Sequence, residues 1–542
     1  MKRPGIWRSP WTWIFLGLLV VVLIPLTYLL GGLWGKGGDT WQHLQDTVLS
    51  TYLLNTGGLL LGTGSLSLLL GVSTAWFVAR KDFPGREWMS WALVLPLSIP
   101  SYIMAFAYVG LFDFAGPIQR GIKWLFPDAA AFDVMQFPVM VLLLALALYP
   151  YVYLLARAAF ARQSANRLEA ARMMGIGPWE RFWRISLPLA RPAIIGGVSL
   201  VLMEVLNDYG AVKYFGIGTF TTGIFRAWFA LGDVDAALRL SGWLLLIVCG
   251  VILLERSQRG HAQYVDSGGK SRPLSRQKLS PIPGLLISLW CLLPILLGFL
   301  LPVYQLVDWA ISVPEDLNDP DFYRLIRNSF FLALAAAFLC VGAALVLGFA
   351  WRLIRRPWAA VALRLGVIGY AVPGAVIAIG VMVMSLDLNS GVNDLLIYLG
   401  GAGWGPFMSQ LFIALILAYL VRFLAVAYNG IEAGFEQIPR SLDEASHLMG
   451  TVGGGLLRKV HAPLLKWSLF SALILVFVDV LKELPLTLIL RPFNFDSLAT
   501  RTFELAADEQ LARSAWPALI IVLVSLWPII GLNRLMERKR EG

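Results

Sequence analysis

Glu169-Ala170-Ala171, then three residues, Gly175, nine residues, Ile185, one residue and Leu187-Pro188: this spacing returns 275 residues later as Glu444-Ala445-Ser446, Gly450, Val460 and Ala462-Pro463. Other landmarks repeat at nearly the same offset. Asn55-Thr56 matches Asn328-Ser329, and Ile99-Pro100-Ser101 matches Val372-Pro373-Gly374, both 273 residues apart. The chain is therefore an internal duplication. Each copy of the loop carries its own helix punctuation. Asn166 and Ser441 stand where an N-cap would, and Glu169 and Glu444 follow three residues later, which completes a capping box. Gly175 and Gly450 suit the left-handed position that ends a helix. Each copy thus predicts a short, locally capped helix.

Outward from these loops the chain is apolar. Of 542 residues, 58% are hydrophobic and 14% charged, with a mean hydropathy of +0.70. A soluble domain carries about 25% charged residues, so this chain lacks the charge to cover a water-facing surface. Trp11–Leu30 and Ala515–Leu532 contain no charge at all, and apolar runs of that length read as membrane helices. Twelve such segments are expected, at roughly 11–33, 51–79, 89–112, 134–156, 189–212, 236–255, 283–310, 329–351, 359–385, 405–427, 464–488 and 514–533. The expected organisation is a first half over 1–256 with its loop at about 165–188, a polar linker over 257–282, and a second half over 283–542 with its loop at about 440–463. The first apolar run reads as a retained span, because a signal peptide has a shorter apolar region and a small-residue cleavage site.

Charge sets the direction of threading. With the N-terminus inside, the segments expected in the cytoplasm hold 32 of the 44 Lys and Arg residues. Acidic loops such as Glu315-Asp316-Leu317-Asn318-Asp319-Pro320-Asp321 fall outside. The positive-inside rule then puts both termini and both duplicated loops in the cytoplasm. The net charge of +10 is accounted for by this orientation rather than by nucleic acid. Six spans per half is an even number, so the repeats run parallel about an axis along the membrane normal.

The two loops resemble the "EAA" loop of type I ABC importer permeases. That resemblance implies an all-α permease fold of about twelve transmembrane helices. It also implies two copies of a separate ATPase subunit and a periplasmic or surface-tethered substrate-binding protein. In that family the loop helix docks in a groove of the ATPase, which assigns coupling to Glu169, Ala170, Ala171, Gly175, Glu444, Ala445, Ser446 and Gly450. Three further stretches resemble the fused permeases of ferric-iron importers: Leu95-Pro96-Leu97-Ser98-Ile99-Pro100-Ser101-Tyr102, Asn207-Asp208-Tyr209-Gly210-Ala211-Val212, and Thr219-Phe220-Thr221-Thr222-Gly223-Ile224-Phe225-Arg226-Ala227-Trp228-Phe229. Related fused permeases carry thiamine or phosphonates. The rival class is a secondary transporter driven by an ion gradient, which has no docking loop.

No catalytic residue, metal site or cofactor is expected in the chain itself. Gly268-Gly269-Lys270-Ser271 looks like the end of a P-loop, but Tyr264 stands where the first glycine belongs. Cys249, Cys291 and Cys340 sit in apolar runs, and His43, His261, His447 and His461 are scattered. Membrane lipid is the remaining expected partner. Two carboxylate pairs stand out, Glu204 with Asp208 and Asp479 with Glu483, each read as i, i+4 on one helix face. Carboxylates inside a span are costly and face a cavity or a partner. They are candidate residues for a cation route; the alternative is a wet helix end with Lys213 and Lys482 as neighbours. Pro96, Pro100 and Pro373 are expected to interrupt the third and ninth spans. Gly58 and Gly62 form a small-residue pair for close helix packing.

Overall fold

Apolar runs bounded by proline and glycine build helices whose backbone groups are satisfied internally, as a bilayer demands. The computed structural model describes residues 9–34, 38–128, 132–163, 171, 173–259, 276–401, 403 and 412–541. Among them, ten helices are long and apolar enough to cross a membrane. They are α1 (Pro10–Gly32), α2 (Leu49–Arg80), α3 (Ser101–Leu125), α4 (Phe137–Arg162), α5 (Trp179–Asn207), α6 (Val234–Gln258), α7 (Pro281–Ser312), α8 (Pro320–Ile354), α9 (Gly374–Tyr398) and α10 (Ile413–Glu436). Then follow the short α11 (Arg440–Leu448), α12 (Lys466–Leu481) and α13 (Ala515–Glu541). The P-loop-like Gly268–Ser271 and His261 lie outside the described residues.

The described residues bear out an all-α membrane fold of about twelve spans. Ten helices pass on length and composition, and an eleventh is bent by 79° between Gly454–Leu464 and α12. The last segment is a shorter apolar stretch, Ala515–Gly531, at the start of α13. The bend follows Pro463, whose missing N–H weakens the helix ladder where the chain turns.

The third and ninth spans break in the same way. In the first half a helix over Arg86–Ala92 gives way to a 3-10 turn over Leu95–Ser98, and Pro100 caps α3. In the second half Pro357–Gly366 gives way to Ile368–Ala371, and Pro373 caps α9. Both prolines sit at φ −55°, with ψ 145° and 142°. The duplicated asparagines also do the same work. Asn55 Nδ2 donates to the Gly218 carbonyl (2.9 Å), and Asn328 Nδ2 to that of Asp496 (3.5 Å).

The chain packs as two compact units, one of Met1–Leu44, Gly223–Leu245 and Asp319–Arg501, the other of Gln45–Thr222, Leu246–Asn318 and Thr502–Gly542. Within the first unit, α1 beds on second-half helices. Its Trp11 ring meets Phe349 of α8 edge-on at 4.7 Å, and its Pro25 carbonyl lies 2.6 Å from where a Cβ on Gly380 of α9 would fall. Within the second unit, α7 beds on first-half elements. Ser288 Oγ donates to the Pro84 carbonyl (2.7 Å), Trp290 Nε1 to Ser73 Oγ (2.9 Å) and Tyr108 Oη to the Leu297 carbonyl (2.7 Å). The opening span of each half therefore packs with the other half's spans. Gly58 and Gly62 of α2 face α4, where an added Cβ would come within 2.9 Å of Phe137 and 2.8 Å of Val141. Small residues let these backbones approach.

Candidate functional site

The second duplicated loop is described in full. Pro439, extended at φ −60° and ψ 146°, precedes the first turn of α11. Ser441 is therefore inside the helix, and no side chain caps its N-terminus. This corrects the capping box expected from Ser441 and Glu444. Pro439 starts the helix before Ser441 can cap it, and Asp443 brings negative charge to the first turn, where the helix dipole favours it. Glu444 and Ala445 are exposed, Ser446 is half-buried, and no residue of α11 is buried.

Both loops end alike. Gly450 takes φ +77° and Gly175 φ +78°. The N–H of Thr451 reaches the Ser446 carbonyl (2.9 Å), and that of Ile176 the Ala171 carbonyl (3.1 Å). This six-residue closure across a left-handed glycine is a Schellman ending. Ala171 is buried; Asn166, Glu169 and Ala170 lie outside the described residues. Just ahead of each glycine stands an exposed apolar pair, Met173 and Met174 at 90% and 78% exposure, Leu448 and Met449 at 91% and 85%. Farther on, a π turn follows each loop, over Phe182–Ser186 and Leu457–His461. Each is followed by proline, Pro188 or Pro463, whose missing N–H removes an i→i−4 bond and permits the wider turn.

The second loop is tied to the span before it by Arg352, near the end of α8. Arg352 Nε donates to Asp443 Oδ2 (2.7 Å) and Nη2 to Asp443 Oδ1 (3.2 Å). The same guanidinium donates to the carbonyls of Phe435 (2.9 Å), Ile438 (3.0 Å) and Pro439 (3.3 Å). His461 Nε2 lies 2.8 Å from Asp443 Oδ1. Burial pushes the Asp443 carboxyl up, but the hydrogen bonds and charges of Arg352 and His461 prevail and hold it below its ordinary value. Partners separated by 91 and 18 residues leave no trace in a sequence pattern, which points to neither Arg352 nor Asp443 and leaves His461 among scattered histidines.

The two carboxylate pairs are not single helix faces. α5 ends at Asn207 and α12 at Leu481, so Asp208 and Glu483 fall in the breaks that follow. There each caps the next short helix. Asp208 Oδ1 accepts from the N–H groups of Ala211 and Val212 (both 3.1 Å), and Glu483 Oε1 from that of Leu486 (3.1 Å). Asp208 also accepts from Ser101 Oγ, at the start of α3. In the second half the register puts Gly374 where Ser101 stands, and buried Glu483 faces buried Arg422 at 3.8 Å. Arg422 also donates to the Val372 carbonyl (3.2 Å). Glu204 and Asp479 stay on the helical side, half-buried, and Asp479 pairs with Lys482 at 3.0 Å. Arg422 is a lone charge within an apolar run, a signal the sequence did carry.

Three relatives are similar to this chain over different extents. The Fe(3+)-transport system permease protein FbpB 2 of Haemophilus influenzae is 27% identical over 551 residues, spanning 98% of this chain and 99% of its own length. The sulfate transport system permease protein CysW of Escherichia coli is 28% identical over 216 residues, 39% of this chain and 72% of its own. A putative 2-aminoethylphosphonate transport system permease protein, PhnU of Salmonella choleraesuis, is 26% identical over 227 residues, 40% of this chain and 79% of its own. The family described as binding-protein-dependent transport system inner membrane component matches residues 67–256 and again 340–542. With that match in both halves, each taking in one of the duplicated loops, the chain is a multi-pass membrane permease that belongs to the binding-protein-dependent transport family.

Proposed function

We propose that this chain is the permease of an ATP-driven importer of ferric iron, with both coupling loops docking on ATPase subunits at the cytoplasmic face. The observation that carries the docking is the repeated exposed pair, Met173-Met174 and Leu448-Met449, held ahead of a left-handed glycine in each half. Side chains exposed to this degree, on loops whose Lys and Arg content puts them in the cytoplasm, suit a protein partner. A loaded binding protein would meet the outer face. ATP would draw two ATPase copies together, the loops would follow, and the pore would alternate between outward and inward access. ATP hydrolysis belongs to the separate subunits, and both termini lie inside.

The choice of ferric iron rests on the relative that matches along nearly the whole chain. Sulfate or phosphonate is the second reading, favoured by the relatives that match a single half; thiamine is a third. Glu204, Asp208, Asp479 and Glu483 are the carboxylates we assign to the cation's route; Asp208 and Glu483 also cap helices, and Asp479 pairs with Lys482. The test is ATPase activity of the purified complex in nanodiscs, with the binding protein loaded in turn with ferric ion, sulfate, 2-aminoethylphosphonate or thiamine. Stimulation by the ferric form alone, with slower uptake in a Glu204→Gln, Asp479→Asn chain, supports the reading. Stimulation by another loaded form overturns the ferric assignment.

A further inference from the structure

The two coupling loops are built alike at their C-terminal ends, and the base of the second is described in full. In the second half, Arg352, Asp443 and His461 form a cluster in which the side-chain exposures are 5%, 17% and 0%. One guanidinium there joins four pieces of chain: the end of α8, the last turn of α10, the Ile438-Pro439 connection and the first turn of α11. Through Asp443 it reaches a fifth, the π turn that leads into α12. A bidentate Arg–carboxylate pair fixes angle as well as distance, and here it is shielded from water, which limits screening.

At the matching register the first half has Ala79, Leu168 and Ser186. None of the three can make this cluster. Instead Arg80, one position on, donates to Gln163 Oε1 (2.6 Å), and Gln163 Nε2 donates to the Ser186 carbonyl (2.8 Å). That link ties the end of α2 to the end of α4 and to the π turn of α5, and among the described residues no carboxylate joins it.

We infer that Arg352 and Asp443 are positioning residues for energy coupling: they fasten the second coupling helix to α8, α10 and the approach to α12, so that this loop drives its half of the pore as a rigid arm. Among the described residues the first half joins the matching elements through Arg80 and Gln163, with an amide in place of the carboxylate. This inference rests on the docking reading above. It adds that docking alone is not enough in the second half: the force has to pass through the clamp.

The experiment uses the full chain with its ATPase and binding protein in proteoliposomes, reading solute taken up per ATP hydrolysed. Asp443→Leu and Arg352→Ala install the first-half residues. Each is expected to lower uptake per ATP by about tenfold while the ATPase still copurifies with the chain. Because a single change strands a buried charge, the double variant Arg352→Met/Asp443→Leu, an apolar replacement for the pair, provides the control for folding. It is expected to recover the thermal midpoint and not the uptake per ATP. A role in stability alone would return both together, and that result overturns the inference. So does an unchanged uptake per ATP in Asp443→Leu. If Leu448→Ser/Met449→Ser leaves ATPase retention untouched, it is the docking reading that has failed.

Discussion

At the residue scale, the buried charges make the sharpest demands. Arg422 and Glu483 are both buried, and their closest approach is 3.8 Å. Removing one partner leaves an uncompensated charge and costs about 3–5 kcal/mol, whereas an apolar replacement of both costs far less. The expected result in detergent is a large fall in unfolding midpoint for Glu483→Leu, a large fall for Arg422→Leu, and a smaller one for the double variant. Additive losses would mean the pair is not coupled. Asp443 allows a pH test. Its folded pKa lies below the ordinary value, so its contribution to stability is present above about pH 4 and is lost as pH falls through the folded pKa. The midpoint difference between wild type and Asp443→Asn is therefore expected to shrink as pH falls below about 4. A difference that persists undiminished there contradicts the clamp's ionic character. Asp208 shows where the sequence misleads. Its spacing from Glu204 reads as one helix face, but its carboxylate competes for the N–H groups of Ala211 and Val212. That competition ends α5 and starts the next helix.

At the element scale, what was legible is what local chemistry decides. Pro100 and Pro373 break their spans in the same way, as proline's fixed φ and missing N–H require. Gly175 and Gly450 end their helices with positive φ, because only glycine enters that region without a steric penalty. What was not legible is what distant neighbours decide. Periodicity says that α1 and α7 are apolar, not that each beds on elements of the other half. The start of α11 turns instead on a neighbour in sequence: Pro439 opens the helix before Ser441 can cap it. Packing between spans gives a further expectation. A Cβ added at Gly62 would come within 2.8 Å of Val141, so Gly62→Leu overpacks α2 on α4 and should cost about 1–3 kcal/mol. Gly57, on the same helix, has nothing within 4 Å of an added Cβ. Gly57→Leu is the control and should leave the midpoint nearly unchanged; an equal loss in both variants would mean that overpacking is not the cause.

At the scale of the whole molecule, two permease halves share one chain, and the family match recurs in each. The duplicated loops carry what is distinctive: an exposed apolar pair, a left-handed glycine and a following π turn in each half, with the Arg352–Asp443 clamp in the second. The most direct test of the central claim, that these loops dock on separate ATPase subunits, is affinity purification of the chain with its ATPase. The variants Met173→Ser/Met174→Ser and Leu448→Ser/Met449→Ser are compared with wild type, alone and combined. The account expects each pair to weaken retention and the combination to abolish it, with the unfolding midpoint of the isolated chain unchanged. Full retention by the combined variant would contradict it.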